Sequence, residues 1–217
     1  MALLRKKYSE IPSDAVVLSE DEALKYQTQI LNKWKHSSDV LAYRYGGGVL
    51  GVSSFIAGFF INNYYRNKFK LLHYGRASSY LPMCVIPAAF SAVTHMEFVL
   101  KNVVLQKRDT CPVCLEMRAS AIQAGLGCVF PIIMGPLNTL LLAQRYLTYD
   151  IPYVSKEPMK VLRLVKKMTQ PVLNVWFGIF IGQALLASVV THLEAKSVIT
   201  VNKKLEMLEE ELENSGV

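Results

Sequence analysis

Charged side chains are absent from four long stretches of this chain, Tyr45–Tyr65, Ala77–Met96, Ala119–Gln144 and Met168–Leu193, and they flank every one. At 1.5 Å per helical residue the shortest reaches roughly 30 Å, the thickness of a bilayer's hydrocarbon core. Inside lipid each backbone N–H and C=O must be satisfied within the segment, so each stretch is predicted to be a helix. A soluble core helix is usually shorter and carries a polar stripe. The pattern predicts an all-α membrane protein built as a four-helix transmembrane bundle.

The remainder of the 217 residues divides into an N-terminal arm (1–44), three connections inside the transmembrane domain (45–193), and an acidic helical tail (194–217). None of these is long enough for an independent soluble enzyme domain. Any chemistry must sit in the bundle or in a partner.

The net charge of +7 is distributed unevenly. Arg66, Lys68, Lys70 and Arg76 fill the first connection with no acid among them. Arg145, Lys156, Lys160, Arg163, Lys166 and Lys167 fill the third, against Asp150 and Glu157. Elsewhere outside the spans, bases and acids nearly balance. Short loops rich in Lys and Arg stay on the side of synthesis or, in a mitochondrion, on the matrix side. The excess is therefore an orientation signal and not a nucleic-acid footprint. Both termini and the middle connection are expected on the opposite face. The start of the chain has a charged Arg5-Lys6-Lys7 but no apolar run behind it, so it does not read as a secretory signal. Glu10, Asp14, Glu20, Asp21 and Glu22 follow too soon for a mitochondrial presequence, and any such targeting would be internal.

Ser19–His36 reads as an amphipathic helix. Ser19 and Glu22 have capping-box spacing, and Ala23, Gln27, Ile30, Leu31 and Trp34 fall near one face. Such a helix either lies on the headgroups with its Trp in the interface or docks on a partner. Small residues recur four apart at Gly47/Gly51, Ser54/Gly58 and Gly178/Gly182, a spacing that lets helix backbones approach closely. Pro82, Pro87, Pro131 and Pro136 are expected to kink their spans. No span holds an Asp, Glu, Lys or Arg, which argues against an ion or proton pathway and hence against a transporter. Asn62, Asn63, Gln123, Asn138, Asn174 and Gln183 are then interhelical hydrogen-bonding groups.

A septet repeats. Ser91-Ala92-Val93-Thr94-His95-Met96-Glu97 ends the second span and Ser188-Val189-Val190-Thr191-His192-Leu193-Glu194 ends the fourth, suggesting two related hairpins. Their His and Glu residues are expected to be interfacial polar groups and not metal ligands. In the tail, Val198, Val201, Leu205, Leu208 and Leu212 form a short coiled-coil-like seam suited to a partner helix or the membrane surface.

The pair Cys111-Pro112-Val113-Cys114 lies in the middle connection and is the one motif with intrinsic chemistry. Membrane thiol oxidoreductases of four helices relay electrons between two exposed pairs and a quinone. Here Cys84 and Cys128 sit inside spans, so no second exposed pair exists. A zinc site fails on count, since C-x-x-C supplies two of four ligands. A local disulfide is the plain reading if the connection faces an oxidising compartment. Unpaired thiols and redox chemistry are the alternatives.

Leu81-Pro82-Met83-Cys84-Val85-Ile86-Pro87 resembles the L-P-M-x-x-I-P stretch of the transmembrane protein 126 family. Cys111–Cys114 falls where that family has its own C-x-x-C. Phe130-Pro131, Pro136-Leu137-Asn138 and Arg145-Tyr146 follow its third-span pattern, and the order holds from about residue 40 to 193. The resemblance implies a multi-pass protein of the mitochondrial inner membrane, a non-catalytic scaffold for assembling respiratory complex I. It implies no cofactor or metal. The partners it implies are complex I membrane-arm subunits and other assembly factors, among them an acyl-CoA-dehydrogenase-like protein. Matrix-facing basic connections would meet soluble factors, and the termini and Cys111–Cys114 would lie in the intermembrane space. A thiol oxidoreductase using Cys111 and Cys114 is the alternative of a different class.

Overall fold

A computed structural model describes residues 18–106, 111–151 and 157–215. The first seventeen residues and Lys156 lie outside them. Among the described residues there are helices and turns and no strands. Four helical stretches are long and apolar enough to cross a membrane. The elements are α1 (Glu20–Lys33), α2 (Leu41–Lys68), α3 (Arg76–Val104), α4 (Pro112–Tyr146), α5 (Pro158–Thr169) and α6 (Leu173–Ser215). Each predicted span lies within one of α2, α3 and α4, or crosses from the end of α5 into α6. The helices overrun the uncharged stretches because charged flanks still favour helix once they reach the interface.

Span α2 is the centre of the bundle and packs against α3, α4 and α6, while α4 also packs along α6. Two apolar clusters mark the two ends. Leu31, Val40, Leu50, Val99, Leu115, Val198 and Val201 gather α1, the end of α3, the start of α4 and the tail of α6. Ile61, Tyr65, Phe69, Leu71, Leu140, Val161 and Trp176 gather the first and third connections. These are called the terminal end and the hairpin end below. α1 and the tail of α6 therefore share an end with the middle connection.

Three expectations need correction. The tail is no separate element. α6 runs 43 residues without a break at 194, about 65 Å at 1.5 Å per residue, so half of it extends past the bilayer core. The middle connection is largely helical, since α3 continues to Val104 and α4 begins at Pro112. Cys114 is thus in the first turn of a helix. And Arg66 is not a loop cation: it is 3% exposed. Its guanidinium donates to the carbonyls of Leu72 at 3.0 Å and Tyr74 at 2.9 Å and to Ser79 Oγ at 2.7 Å, tying the α2–α3 turn to the bundle. Gly75 closes that turn at φ +56°, with Leu142 and Tyr146 packed over it. Lys68, Lys70 and Arg76 remain exposed.

The capping box at Ser19 forms, with Glu22 Oε2 accepting from the Ser19 amide at 2.9 Å. α1 uses the anticipated face, but on its own chain. Leu31 is fully buried, and Leu24, Ile30 and Trp34 pack with it against the terminal-end cluster. Asp39 clamps the arrangement, accepting from Trp34 Nε1 at 3.0 Å and from Lys204 Nζ at 2.6 Å. The first half of the tail seam, Val198, Val201 and Leu205, is spent here, while Leu208 and Leu212 stay exposed.

Two π turns, at Leu81–Val85 and Gly125–Val129, lie beside Pro82, Pro87 and Pro131, a third at Met96–Leu100 has no proline, and Pro136 sits within regular α-helix. Pro87 has no N–H for the carbonyl of Met83, four residues back. That carbonyl lies over Gly58, where a Cβ would collide with it. Gly47 and Gly51 likewise face α3, at Met96 and at the Ala88 carbonyl. Gly178 and Gly182 meet nothing within 4 Å. Gly58→Ala should therefore lower the unfolding midpoint in detergent by several degrees, whereas Gly182→Ala should leave it unchanged or raise it. Thermal unfolding followed by helical circular dichroism checks this, and equal effects at both sites would refute the packing assignment.

Candidate functional site

The polar groups inside the spans form layers. In the middle layer Gln123 of α4 touches all three other spans. Its Nε2 finds Leu50 O at 3.0 Å, Ser53 Oγ at 2.9 Å, Ser54 Oγ at 3.0 Å and Gln183 Oε1 at 2.6 Å. Its own Oε1 accepts from Ser91 Oγ of α3 at 2.5 Å. Gln183 of α6 returns a bond from Nε2 to Ser53 O at 3.1 Å. Gly127 makes room for this layer, because a Cβ there would press on Ser54 Oγ and Gln183.

Toward the terminal end, His95 of α3 meets Glu194 of α6, Nε2 to Oε2 at 2.8 Å, with the two side chains 1% and 0% exposed. Glu194 Oε1 and His95 Nδ1 have no hydrogen-bond partner among the described residues. The carboxylate fits only because α2 has a glycine opposite: a Cβ on Gly46 would run into Glu194 Oε1 and Val190. Toward the hairpin end, Arg66 and Asn62 share Ser79 Oγ, Asn62 at 3.1 Å. Of the other predicted hydrogen-bonding amides, Asn138 reaches Ser78 O at 3.5 Å, Asn63 accepts from Tyr80 at 3.5 Å, and Asn174 is exposed.

The septet echo is used asymmetrically. His95 of the first copy is buried against Glu194 of the second, but Glu97 pairs with Lys101 at the surface, and His192 faces Glu116 at 3.3 Å. Ser188 also donates to Glu116, at 3.0 Å. One imidazole and one carboxylate make half a metal site at best. No group of three or more His, Cys, Asp or Glu that could hold a metal occurs among the described residues. A concavity of about 410 Å³ between α3 and α4, lined by Thr94, Phe98, Arg118, Ile122 and Leu126, is open on the outer face of the bundle. The layers are thus cross-links between helices.

Cys111 and Cys114 are exposed free thiols at the terminal end, and Cys84 and Cys128 are buried. Cys111 is the N-cap of α4, followed by Pro112 at the first helical position. The neighbouring amide and thiol of Cys114 and the amide of Val113 favour the thiolate and hold the Cys111 thiol below its usual range.

Removing one member of a buried pair leaves the other uncompensated, at a cost of about 3–5 kcal/mol, whereas replacing both by apolar residues is often nearly neutral. Glu194→Ala should therefore destabilise strongly and the His95→Leu/Glu194→Leu double variant much less. Gln123→Leu, which orphans Ser91 and Gln183, should cost about 1–3 kcal/mol. Denaturant unfolding of the full chain in detergent measures all three, and additive effects of the His95 and Glu194 changes would sink the pair. For the thiols, alkylation of Cys111 should reach half its maximal rate below the pH of about 8.5 typical of a free cysteine. Mass-spectrometric alkylation rates against pH test it, and a midpoint at or above the free-thiol value would contradict this effect of the helix start.

Comparison with known proteins agrees with this architecture. No solved structure matches the chain. A Drosophila melanogaster protein named Transmembrane protein 126 is 39% identical over 214 residues, covering 98% of this chain and 96% of that relative. The family model for transmembrane protein 126 matches residues 24–210, from α1 to near the end of α6. The chain belongs to the transmembrane protein 126 family.

Proposed function

We propose that this protein is a non-catalytic assembly factor of the mitochondrial inner membrane, holding membrane-arm subunits of respiratory complex I while they are joined. Its other partners would be assembly factors, including an acyl-CoA-dehydrogenase-like protein. The observation that carries this reading is the outer face of α6. Only 17% of the most apolar window of the fourth span is buried in the bundle, against 33% to 50% for the others. Gly178, Ile181, Gly182, Leu185 and Val189 form a smooth exposed stripe there. The stripe suits close packing with a helix of another membrane protein. The basic hairpin end would face the matrix by the positive-inside rule, leaving the termini and Cys111–Cys114 in the intermembrane space.

Removing the protein should stall complex I at partial membrane-arm assemblies with which the intact protein co-migrates. Native gels with mass-spectrometric profiling of mitochondrial membranes read this out, and a normal complex I profile would refute the proposal. Within the same assay, Gly178→Leu with Gly182→Leu should weaken co-migration without unfolding the bundle, because neither position touches the rest of the chain. One observation favours the second reading, a membrane thiol oxidoreductase: the placement of Cys111 at the start of a helix. Quinone-dependent turnover lost in Cys111→Ser would support it, and complex I assembly that survives the same substitution would support the scaffold.

A further inference from the structure

The third connection is predicted from sequence as a basic loop, yet it contains α5, whose sides differ sharply in chemistry. Val161, Leu164, Val165 and Met168 pack into the hairpin-end cluster. Lys160, Arg163, Lys166 and Lys167 are exposed on the opposite side. Leu162, 63% exposed, lies on the flank where these two sides meet, and Met159, 66% exposed, lies among the cations.

A merely solvated charged face does not account for this helix. It would set Met159 and Leu162 in water beside the cations, and it would intersperse acids among them. Glu157 pairs with Lys160 at 2.6 Å, but no acid among the described residues pairs with Arg163, Lys166 or Lys167. Exposed Lys68, Lys70, Arg76 and Arg145 ring the same end, and the acids of these connections are Asp150 and Glu157 alone.

The height of α5 relative to the bilayer is set by its contacts. Tyr64 Oη donates to Met168 O at 2.7 Å, and Tyr65 Oη lies 2.8 Å from Thr169 Oγ1, fastening the end of α5 to the last turns of α2. Tyr64, Tyr65 and Trp176 pack together inside the bundle there, and nearby the exposed Tyr74 stacks on the exposed Tyr146, a pair of the kind that sits at headgroup level. A short turn at Gln170–Val172 then leads straight into α6, whose Leu173, Val175 and Phe177 are exposed on the outer surface. A helix held at that level, with an apolar flank and an unneutralised cationic side, matches the chemistry of an interfacial helix on an anionic leaflet.

We propose that α5 is a binding surface for anionic phospholipid headgroups, with Arg163, Lys166 and Lys167 on the phosphates and Met159 and Leu162 inserted among the acyl chains. The cations are thereby committed to lipid and not to soluble assembly factors, and the inference stands whether or not the complex I reading holds. The full-length protein is reconstituted in vesicles of equal phosphatidylglycerol and phosphatidylcholine, extracted in mild detergent, and the retained lipid counted by native mass spectrometry.

Retained phosphatidylglycerol should exceed phosphatidylcholine on the order of tenfold, given the attraction of several cations to one anionic surface. The Lys160→Gln/Arg163→Gln/Lys166→Gln/Lys167→Gln variant should bring the ratio close to one. These side chains are exposed, so its helical content should match the unaltered protein. Met159→Gln with Leu162→Gln should shorten retention of both lipids. Equal retention by the unaltered protein, or undiminished enrichment in the quadruple variant, overturns the proposal. So does displacement of the lipid by a soluble polyglutamate peptide, which would assign the face to an acidic protein.

Discussion

Gln123 is the residue on which the bundle depends. Lipid tails are as apolar as the side chains of the spans, so burying Leu or Val against a neighbour gains little, and helix association in a membrane rests on close packing and hydrogen bonds. Gln123 reaches α2, α3 and α6 from one position on α4. Its partners are small, Ser53, Ser54 and Ser91, which lets the backbones converge while supplying acceptors and donors. The glycines serve the same end. Gly127 clears the space around the Gln123 layer, Gly46 clears it for Glu194, and Gly58 accommodates the Met83 carbonyl that Pro87 leaves without its usual donor. Polar groups and vacant Cβ positions are two parts of one packing solution.

His95 and Glu194 add a cross-link of a different kind. A buried pair of this type contributes little net stability against an apolar replacement but disfavours arrangements in which either member is left alone. It ties the exit of α3 to α6 at the level where α6 leaves the membrane. Beyond that point α6 continues as the tail that receives α1, through Val198, Val201 and the Lys204–Asp39 bond. The pair thus sets the rotation of α6, and that rotation decides which face of the tail meets α1. The same rotation turns Gly178 and Gly182 outward.

Much of this architecture was legible in the sequence, for physical reasons that differ from element to element. The absence of charge over Tyr45–Tyr65 identifies a span because lipid leaves no other conformation. The Ser19–Glu22 spacing marks a helix start because the capping box is a local event. The amide groups Gln123, Gln183 and Asn62 were readable as cross-links because an amide in lipid requires a partner. Their pairing was not readable, since it depends on the rotation of each helix. For that reason the echoed septets, alike in sequence, end in unlike surroundings, with His95 buried and His192 exposed. Arg66 misled because a cation at the end of a span ordinarily snorkels. Here the carbonyls of Leu72 and Tyr74, unpaired in a tight turn, lie within its reach and draw it inward. The signal was present in Gly75, which marks a turn tight enough to expose carbonyls. Gly127 was missed because its four-residue neighbours are not small; only its place one turn before Pro131 hinted at a crowded site.

The contrast between the glycine pairs bears most directly on function. Gly47 and Gly51 are occupied by α3, and their exchange for larger residues would be felt by the fold itself. Gly178 and Gly182 are equally regular in spacing yet contribute nothing to intramolecular packing. Glycine inside a helix is destabilising by roughly 0.5–1 kcal/mol relative to alanine, so two such residues on a lipid-facing surface are a net cost to the isolated protein. That cost has no return within the monomer. It is recovered if another helix comes close enough to use the two missing side chains, which makes the outer face of α6 a part of the molecule whose sequence its own fold does not explain.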